Sequence, residues 1–221
     1  MTRKILISAT AFVLLFSSCR PNRVLLTPIP GKIVSLEGHA SLSLSSEGGQ
    51  GRSKFSFAIR LPDQGRISVS NFLGQTLYQI LADKGETYFI LPGKRAYWQG
   101  GEEEIFEKFL GFSMTLAEMT ALISGDWPAE VGNSGWVLEY DQRGRVMRGI
   151  RGGLSFTVTE YIGITPLARI VSFEHPHSRG RMRLIQIRLN TQLPEKAFDA
   201  TLLQRFSRKT WAEIEAMLYH P

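Results

Sequence analysis

Alternating apolar and polar side chains between residues 36 and 61 place the strongest constraint on the fold of this sequence. An extended chain points successive side chains to opposite faces, so a period of two predicts strands with one buried face. A glycine-rich turn at 47–51 divides the region into two such strands, with His39 on the polar face of the first. The apolar residues of the other face are Leu36, Ala40, Leu42, Leu44, Phe55, Phe57, Ile59 and Leu61.

Further extended segments follow at short intervals, separated by turns rich in Gly, Pro, Asn and Ser. This pattern, without regular βα units, is typical of an antiparallel barrel or sandwich. We therefore expect a mainly β fold with some α, and we see no internal repeat or second domain in residues 32–221. A turn is expected at 178–180. The later strands are expected at 67–70, 76–81, 87–91, 95–99, 136–141, 145–150, 154–161, 168–174 and 181–189.

Two helices are expected to interrupt the strands, and a short amphipathic helix is expected at 210–218. The first helix covers 102–111 and has acidic residues in its first turn, where the helix dipole favours them. The second begins with a capping box at Thr115 and Glu118 and ends at Gly125. The pair is either a plug packed over one end of a barrel or a lid over a cavity, for which methionines provide an adaptable surface. The candidate lid or cavity residues are Phe106, Phe109, Leu110, Met114, Leu116, Met119, Leu122 and Ile123.

The N-terminus predicts export. Two basic residues precede an apolar run at 5–16, which is too short to span a membrane and is typical of a signal peptide, here expected over 1–18. Cys19 is the only cysteine, so it cannot form an internal disulfide. It is either the lipidated residue of a bacterial lipobox or an incidental cysteine beside an ordinary signal peptide. Residues 19–31, which contain three prolines, are expected to form a flexible tether.

A predicted hairpin turn carries two large apolar residues, Phe72 and Leu73, between Asn71 and Gly74. Asn and Gly favour turns because both tolerate positive φ. Hairpin tips are normally polar and hydrated. Phe72 and Leu73 must therefore either fold back onto their own sheet or point outward toward an apolar partner.

No set of residues for catalysis can be assembled from the sequence, and we predict no catalytic or metal-binding residue. The nucleophile elbow, the HExxH zinc motif and the P-loop are absent. His175 and His177 flank Pro176 and have only Glu174 nearby as a further ligand, so we interpret them as a solvated turn. The net charge is +6, and the Lys and Arg residues are scattered along the sequence. This distribution argues against nucleic-acid binding and suits weak attraction to anionic lipid headgroups.

The order of these features resembles the LolB and LolB-like family of outer-membrane lipoproteins. The features are the lipobox with Cys19, the tether, the strand Leu36-Glu37-Gly38-His39-Ala40 and the helix end Ile123-Ser124-Gly125-Asp126. The hairpin reads Asn71-Phe72-Leu73-Gly74 where the family has Asn-Pro-Leu-Gly. The resemblance spans most of residues 19–221, and the chain departs from the family in a longer tail that contains Leu193–Phe198.

The resemblance implies an unclosed antiparallel β-barrel, a curved sheet with a helical lid over a hydrophobic cavity. It also implies a protruding membrane-insertion loop, formed here by Phe72 and Leu73. The implied protein is lipid-anchored in the outer membrane and faces the periplasm. It binds the acyl chains of lipoproteins, which a periplasmic carrier delivers, and assists their insertion.

We expect a monomer without a cofactor, apart from the covalent diacylglycerol and N-acyl chain on Cys19. The alternative function is a scaffold of the same fold that binds another envelope component and transfers nothing. An enzyme is the third class, and it would need a cluster of polar residues inside the cavity.

Overall fold

The computed structural model describes residues 30–46, 49–71 and 73–219. The predicted signal peptide, Cys19, most of the tether and Phe72 lie outside the described residues. The strands are β1 (Ser35–Ser46), β2 (Gly49–Arg60), β3 (Gln64–Ser70), β4 (Thr76–Asp83), β5 (Glu86–Leu91), β6 (Ala96–Gly100), β7 (Val137–Tyr140), β8 (Val146–Arg151), β9 (Leu154–Tyr161), β10 (Ala168–His175), β11 (Ser178–Leu189) and β12 (Ser207–Arg208). The helices are α1 (Glu102–Leu110), α2 (Leu116–Ser124), α3 (Ala129–Gly132) and α4 (Trp211–Tyr219), with 3₁₀ helices at Pro92–Lys94, Glu195–Ala197 and Ala200–Arg205.

All twelve strands belong to one sheet, in the order β12-β6-β5-β4-β3-β2-β1-β11-β10-β9-β8-β7. Strand β1 lies near the centre and pairs with β2 on one side and β11 on the other. The end strands β7 and β12 do not pair with each other, so the sheet stays open. The predicted mainly β, unclosed and curved fold with helices is confirmed.

The hairpin turns of the sheet define its two ends. The turns β1–β2, β3–β4 and β10–β11 share one end, which we call the upper end. Strand β1 starts at Ser35 at the lower end, opposite the end of β2 at Arg60. The predicted hairpin tip at 71–74 therefore lies at the opposite end of the sheet from the point where the N-terminal segment enters.

The apolar faces predicted from alternation form the inner face of the sheet. Leu36, Ala40, Phe55, Phe57 and Ile59 are buried in the main core cluster. Helices α1, α2 and α4 contribute to the same cluster, so they cover this face. Polar residues of the same strands, such as His39, lie on the outer face and are exposed.

Two sequence predictions about local structure were wrong. Residues 178–180 were expected to form a turn but begin β11, and the turn is limited to Pro176 and His177. The sheet is not purely antiparallel, because β12 pairs in parallel with β6. The tail also makes a contact for which no sequence prediction was made: Leu203 packs with Leu81, Tyr88 and Ile90 in a second apolar cluster that is separate from the main core.

Gly125 ends α2 as the sequence predicted. Its φ is +73°, and its backbone N–H donates to Ala121 O, which closes the last turn of the helix. A Cβ at this position would lie 2.5 Å from Pro166 O, so a glycine is required there both for its φ and for the close approach.

The predicted capping box of α2 is present. Glu118 N donates to Thr115 Oγ1 over 3.1 Å, and Thr115 N donates to Glu118 Oε2 over 2.9 Å. The other carboxylate oxygen accepts hydrogen bonds from Trp136 Nε1 and from the Arg151 guanidinium. Only 2% of the Glu118 side chain is exposed. This ion pair therefore fastens α2 to the end of β8 from a buried position.

Loss of the Arg151 charge would leave the Glu118 carboxylate buried without its counter-ion. We expect Arg151→Met to lower the free energy of unfolding by about 3 kcal/mol, measured by urea denaturation. Arg148→Met, on the same strand, is the matched control, because Arg148 pairs with Glu139 at 3.7 Å in an exposed position. The control should cost less than about 1 kcal/mol. Equal losses in the two variants would contradict this assignment.

Candidate functional site

The β3–β4 turn is held by the side chain of Asn71. Its Oδ1 accepts hydrogen bonds from Leu73 N and Gln75 N, both over 3.0 Å. Gly74 has a φ of +79° and donates its N–H to Asn71 O over 3.1 Å. The Asn and Gly of the sequence motif therefore build the turn in the way that their conformational preferences predict.

The side chain of Leu73 points outward from this turn and is 67% exposed. Of the two alternatives for the turn, outward projection therefore holds for Leu73, while Phe72 lies outside the described residues. Leu77, on the following strand, is also exposed. The upper end of the sheet thus presents apolar side chains on a hairpin whose turn is hydrogen-bonded through Asn71, and their insertion into a membrane stays a prediction.

The eight candidate lid or cavity residues come together in the main core cluster, and all eight are buried. Phe109 of α1 contacts Phe55 and Tyr78 edge-on, with ring centroids 5.9 and 6.0 Å apart. Burial of Tyr78 among these rings raises the pKa of its hydroxyl to about 12. The inner face beneath the helices is therefore apolar, as acyl-chain binding requires.

The N-termini of the two lid helices are joined by a hydrogen bond. Leu116 N donates to Glu102 Oε1 over 3.0 Å. Burial raises the pKa of the Glu102 carboxyl above its ordinary value, and this hydrogen bond opposes the rise. Helices α1 and α2 are therefore linked to each other as well as to the sheet.

Helix α4 also covers the inner face, a position that the sequence did not predict. Trp211 packs against Trp98 and Phe89, with centroid distances of 5.0 and 5.6 Å. Lys108 of α1 lies over the Trp211 ring at 5.3 Å, and Ile214 is fully buried in the main core cluster. The helical spacing of Trp211 and Ile214 was visible in the sequence. The place where this apolar side packs could not be seen there.

Four clefts, with volumes of about 210 to 520 Å³, lie along the outer face and upper rim of the sheet. None of the eight candidate lid or cavity residues lines any of these four. In this conformation the side chains of the helices and of the sheet pack against each other. An acyl chain would therefore have to displace apolar side chains in order to enter beneath the helices.

The described residues contain no group of three or more His, Cys, Asp or Glu side chains placed to hold a metal ion. His175 and His177 lie with ring centroids 5.9 Å apart at the β10–β11 turn. Among the helices that the structure describes, none combines the length and apolar character needed to cross a bilayer.

Comparison with known proteins identifies the family. A family model described as "Outer membrane lipoprotein LolB" matches residues 34–189, more than half of the chain. A DUF1329 family protein from Desulfovibrio piger has a similar structure, with a TM-score of 0.57, 13% identity and coverage of 79% of this chain and 93% of its own. A putative outer membrane lipoprotein-sorting protein domain from Vibrio parahaemolyticus gives a TM-score of 0.56, 11% identity and coverage of 77% and 92%.

At these identities the two structures share the fold alone with this chain. A search of curated protein sequences finds no match. The family model extends from the residue before β1 to the end of β11 and includes both the β3–β4 turn and the lid helices. The chain therefore belongs to the LolB family of outer membrane lipoproteins.

Proposed function

We propose that the protein is a lipid-anchored lipoprotein of the outer membrane that binds the acyl chains of other lipoproteins and assists their insertion. Family membership supports an envelope location and a role in lipoprotein sorting. The observation that carries the proposal is Leu73, a large apolar side chain held in the open by a turn with internal hydrogen bonds. Burial of one leucine contributes about 2 kcal/mol, which suits a brief and reversible contact with a bilayer.

The anchor and the insertion loop are compatible in length. From Gly65, at the level of Leu36 in the sheet, six residues of β3 lead to Asn71, a rise of about 20 Å. The residues between Cys19 and Lys32, whose carbonyl is already held by Asn190, span up to about 40 Å when extended. A domain tethered at Cys19 can therefore bring Leu73 to the membrane that holds the anchor, although β1 begins at the lower end of the sheet.

The acyl chain would bind between the inner face of the sheet and the lid helices. Each methylene removed from water contributes about 0.8 kcal/mol, so a long chain can displace several side chains from the core. The movable elements are short: α1 and α2 have nine residues each, and both end at a glycine with positive φ. We place the opening at these helices because they cover the inner face without belonging to the sheet.

A second candidate function is a scaffold that binds an envelope component and transfers nothing. One observation favours it: the chain's own Trp211 and Ile214 occupy part of the inner face. A protein that keeps this face filled has less need of an external acyl chain. The two functions differ in whether an acyl chain binds at all.

Leu73→Glu should leave the fold intact and stop membrane delivery of lipoproteins. The side chain is exposed, so unfolding by urea should be unchanged. Loss of about 2 kcal/mol of burial should slow delivery at least tenfold. Ile164→Glu is the matched control, because Ile164 is 84% exposed in the β9–β10 turn at the lower end of the sheet. A Leu73→Glu protein that delivers cargo at the normal rate would refute the role of this turn.

Titration with a fluorescent fatty-acyl probe should show saturable binding that an acylated lipoprotein displaces. Leu73→Glu should bind the probe as the unmodified protein does, because Leu73 lies outside the core cluster. Mass spectrometry of the purified protein should also detect a co-purifying acylated ligand. Probe fluorescence without saturable displacement would reject acyl-chain binding and leave the scaffold.

A further inference from the structure

Five cations project from the outer face of the sheet toward its upper end. Three lie on β11 and two on β2, and all five are exposed. In the sequence, the cations of β11 lie 125 or more residues from those of β2. The sequence alone therefore shows them only as scattered charges. We call them, with the three serines of β1 that lie between them, the basic ladder. Its members are Arg52, Lys54, Arg179, Arg181, Arg183, Ser41, Ser43 and Ser45.

The register of β1 with its two neighbours arranges these groups in rows. Neighbouring strands lie about 4.8 Å apart, so the two strands that carry the cations of a row are about 10 Å apart with a serine of β1 between them. Ser43 is exposed and Ser41 is buried. Guanidinium, ammonium and hydroxyl groups all donate hydrogen bonds to phosphate oxygens. Two rows have a cation at both ends: Lys54, Ser41 and Arg183 form one, and Arg52, Ser43 and Arg181 form the next.

Among the described residues, the cations of the ladder lack the ion pairs with carboxylates that other cations of the outer face make. Near the lower end, Arg60 pairs with Glu195 of the tail at 2.7 Å, and Arg188 pairs with Glu37 at 3.2 Å. Within the described residues, no carboxylate lies within 4 Å of a ladder cation. Of the residues that the structure describes, Glu174 lies opposite Arg179 in the register of β10 and β11 and is the acidic side chain next to the ladder.

The tail supplies the Glu195 carboxylate to the outer face near its lower end and does not cover the ladder. Two clefts open along the ladder. One, of about 450 Å³, is lined by Ser43, Ser45, Gln50, Arg52, Arg179 and Arg181. The other, of about 370 Å³, runs from Ile185 past Lys54 to Asn71. The second cleft ends at the residue that holds the Leu73 turn, so the ladder and the apolar tip adjoin.

We infer that the basic ladder binds the phosphate groups of anionic lipids at a membrane surface. An apolar tip that enters the hydrocarbon brings the adjoining cations to the level of the headgroups, where negative surface potential attracts them. The choice of a membrane over an acidic protein as the partner rests on the proposed insertion of Leu73. The ladder adds to that proposal a preference for lipids by charge, which Leu73 alone does not provide.

The test measures binding to vesicles of phosphatidylcholine alone or mixed with phosphatidylglycerol. It uses the predicted mature chain, residues 19–221 with Cys19→Ser, so that the lipid anchor does not contribute. Each cation near an anionic surface changes affinity about fivefold. Arg52→Gln, Arg181→Gln and Arg183→Gln together should lower the affinity for anionic vesicles about 100-fold and leave the affinity for neutral vesicles unchanged. The preference of the unmodified chain should also weaken as salt is added.

The matched control combines Arg143→Gln, Arg188→Gln and Arg205→Gln, which remove the same charge from other exposed positions. This control should retain nearly all of the preference for anionic vesicles. Leu73→Ser, which removes the apolar side chain without adding a charge, should weaken binding to both kinds of vesicle and keep the ratio between them, so failure of the insertion loop can be told from failure of the ladder. An unchanged ratio in the ladder variant overturns the inference. If the ladder variant keeps its ratio between the two kinds of vesicle but loses lipoprotein uptake, the ladder binds an acidic protein instead of a membrane.

Discussion

An open sheet with one apolar face must cover that face, and this requirement governs the rest of the structure. Strand alternation places Leu36, Phe57 and Ile59 on the inner side, and the part of the chain that the structure describes contains no second sheet to pack against them. Helices α1, α2 and α4 provide the cover. The buried Glu118–Arg151 pair fastens α2 to the sheet at one point, because a buried carboxylate is stable only with its partner in place. The same cover would have to yield to an acyl chain, so stability and ligand binding compete for one apolar surface.

The tail makes contacts on both faces of the sheet. It lies beyond the residues matched by the family model, passes over the outer face through Leu203, and continues to α4 on the inner face. On the outside it supplies Glu195 to Arg60, and on the inside it supplies Trp211 to the core. A segment that joins β12 to β6 and packs on both faces restrains the edge of the sheet at β6. Under the proposed function, we therefore expect the ligand to enter at α1 and α2 and not at this edge, which the tail restrains.

Local patterns predicted local structure well. Alternation identified the strands, and the capping box at Thr115 and the glycine at 125 identified the bounds of α2. The pairing of distant segments was not predictable. Nothing in the sequence around Arg60 indicates contact with Glu195, and nothing around Lys54 indicates that Arg183 lies two strands away. The polar residues of the outer face also form no sequence pattern that would identify the residues they contact. Burial of the lid residues could thus be anticipated from sequence, whereas the packing of α4 and the clustering of cations required the register of the sheet.

Under the proposed function, the position of the anchor gives the two ends of the sheet different roles. Strand β1 begins at the lower end, while Leu73 and the basic ladder lie toward the upper end. Under the proposed function, the upper end reaches the membrane only when the tether runs back along the sheet, which its length of up to about 40 Å permits. In other orientations the upper end faces the periplasm, away from the bilayer. A tether long enough for both orientations lets one domain meet incoming cargo and then present its apolar tip to the membrane. Charge attraction at the ladder would favour the second orientation wherever the surface is anionic.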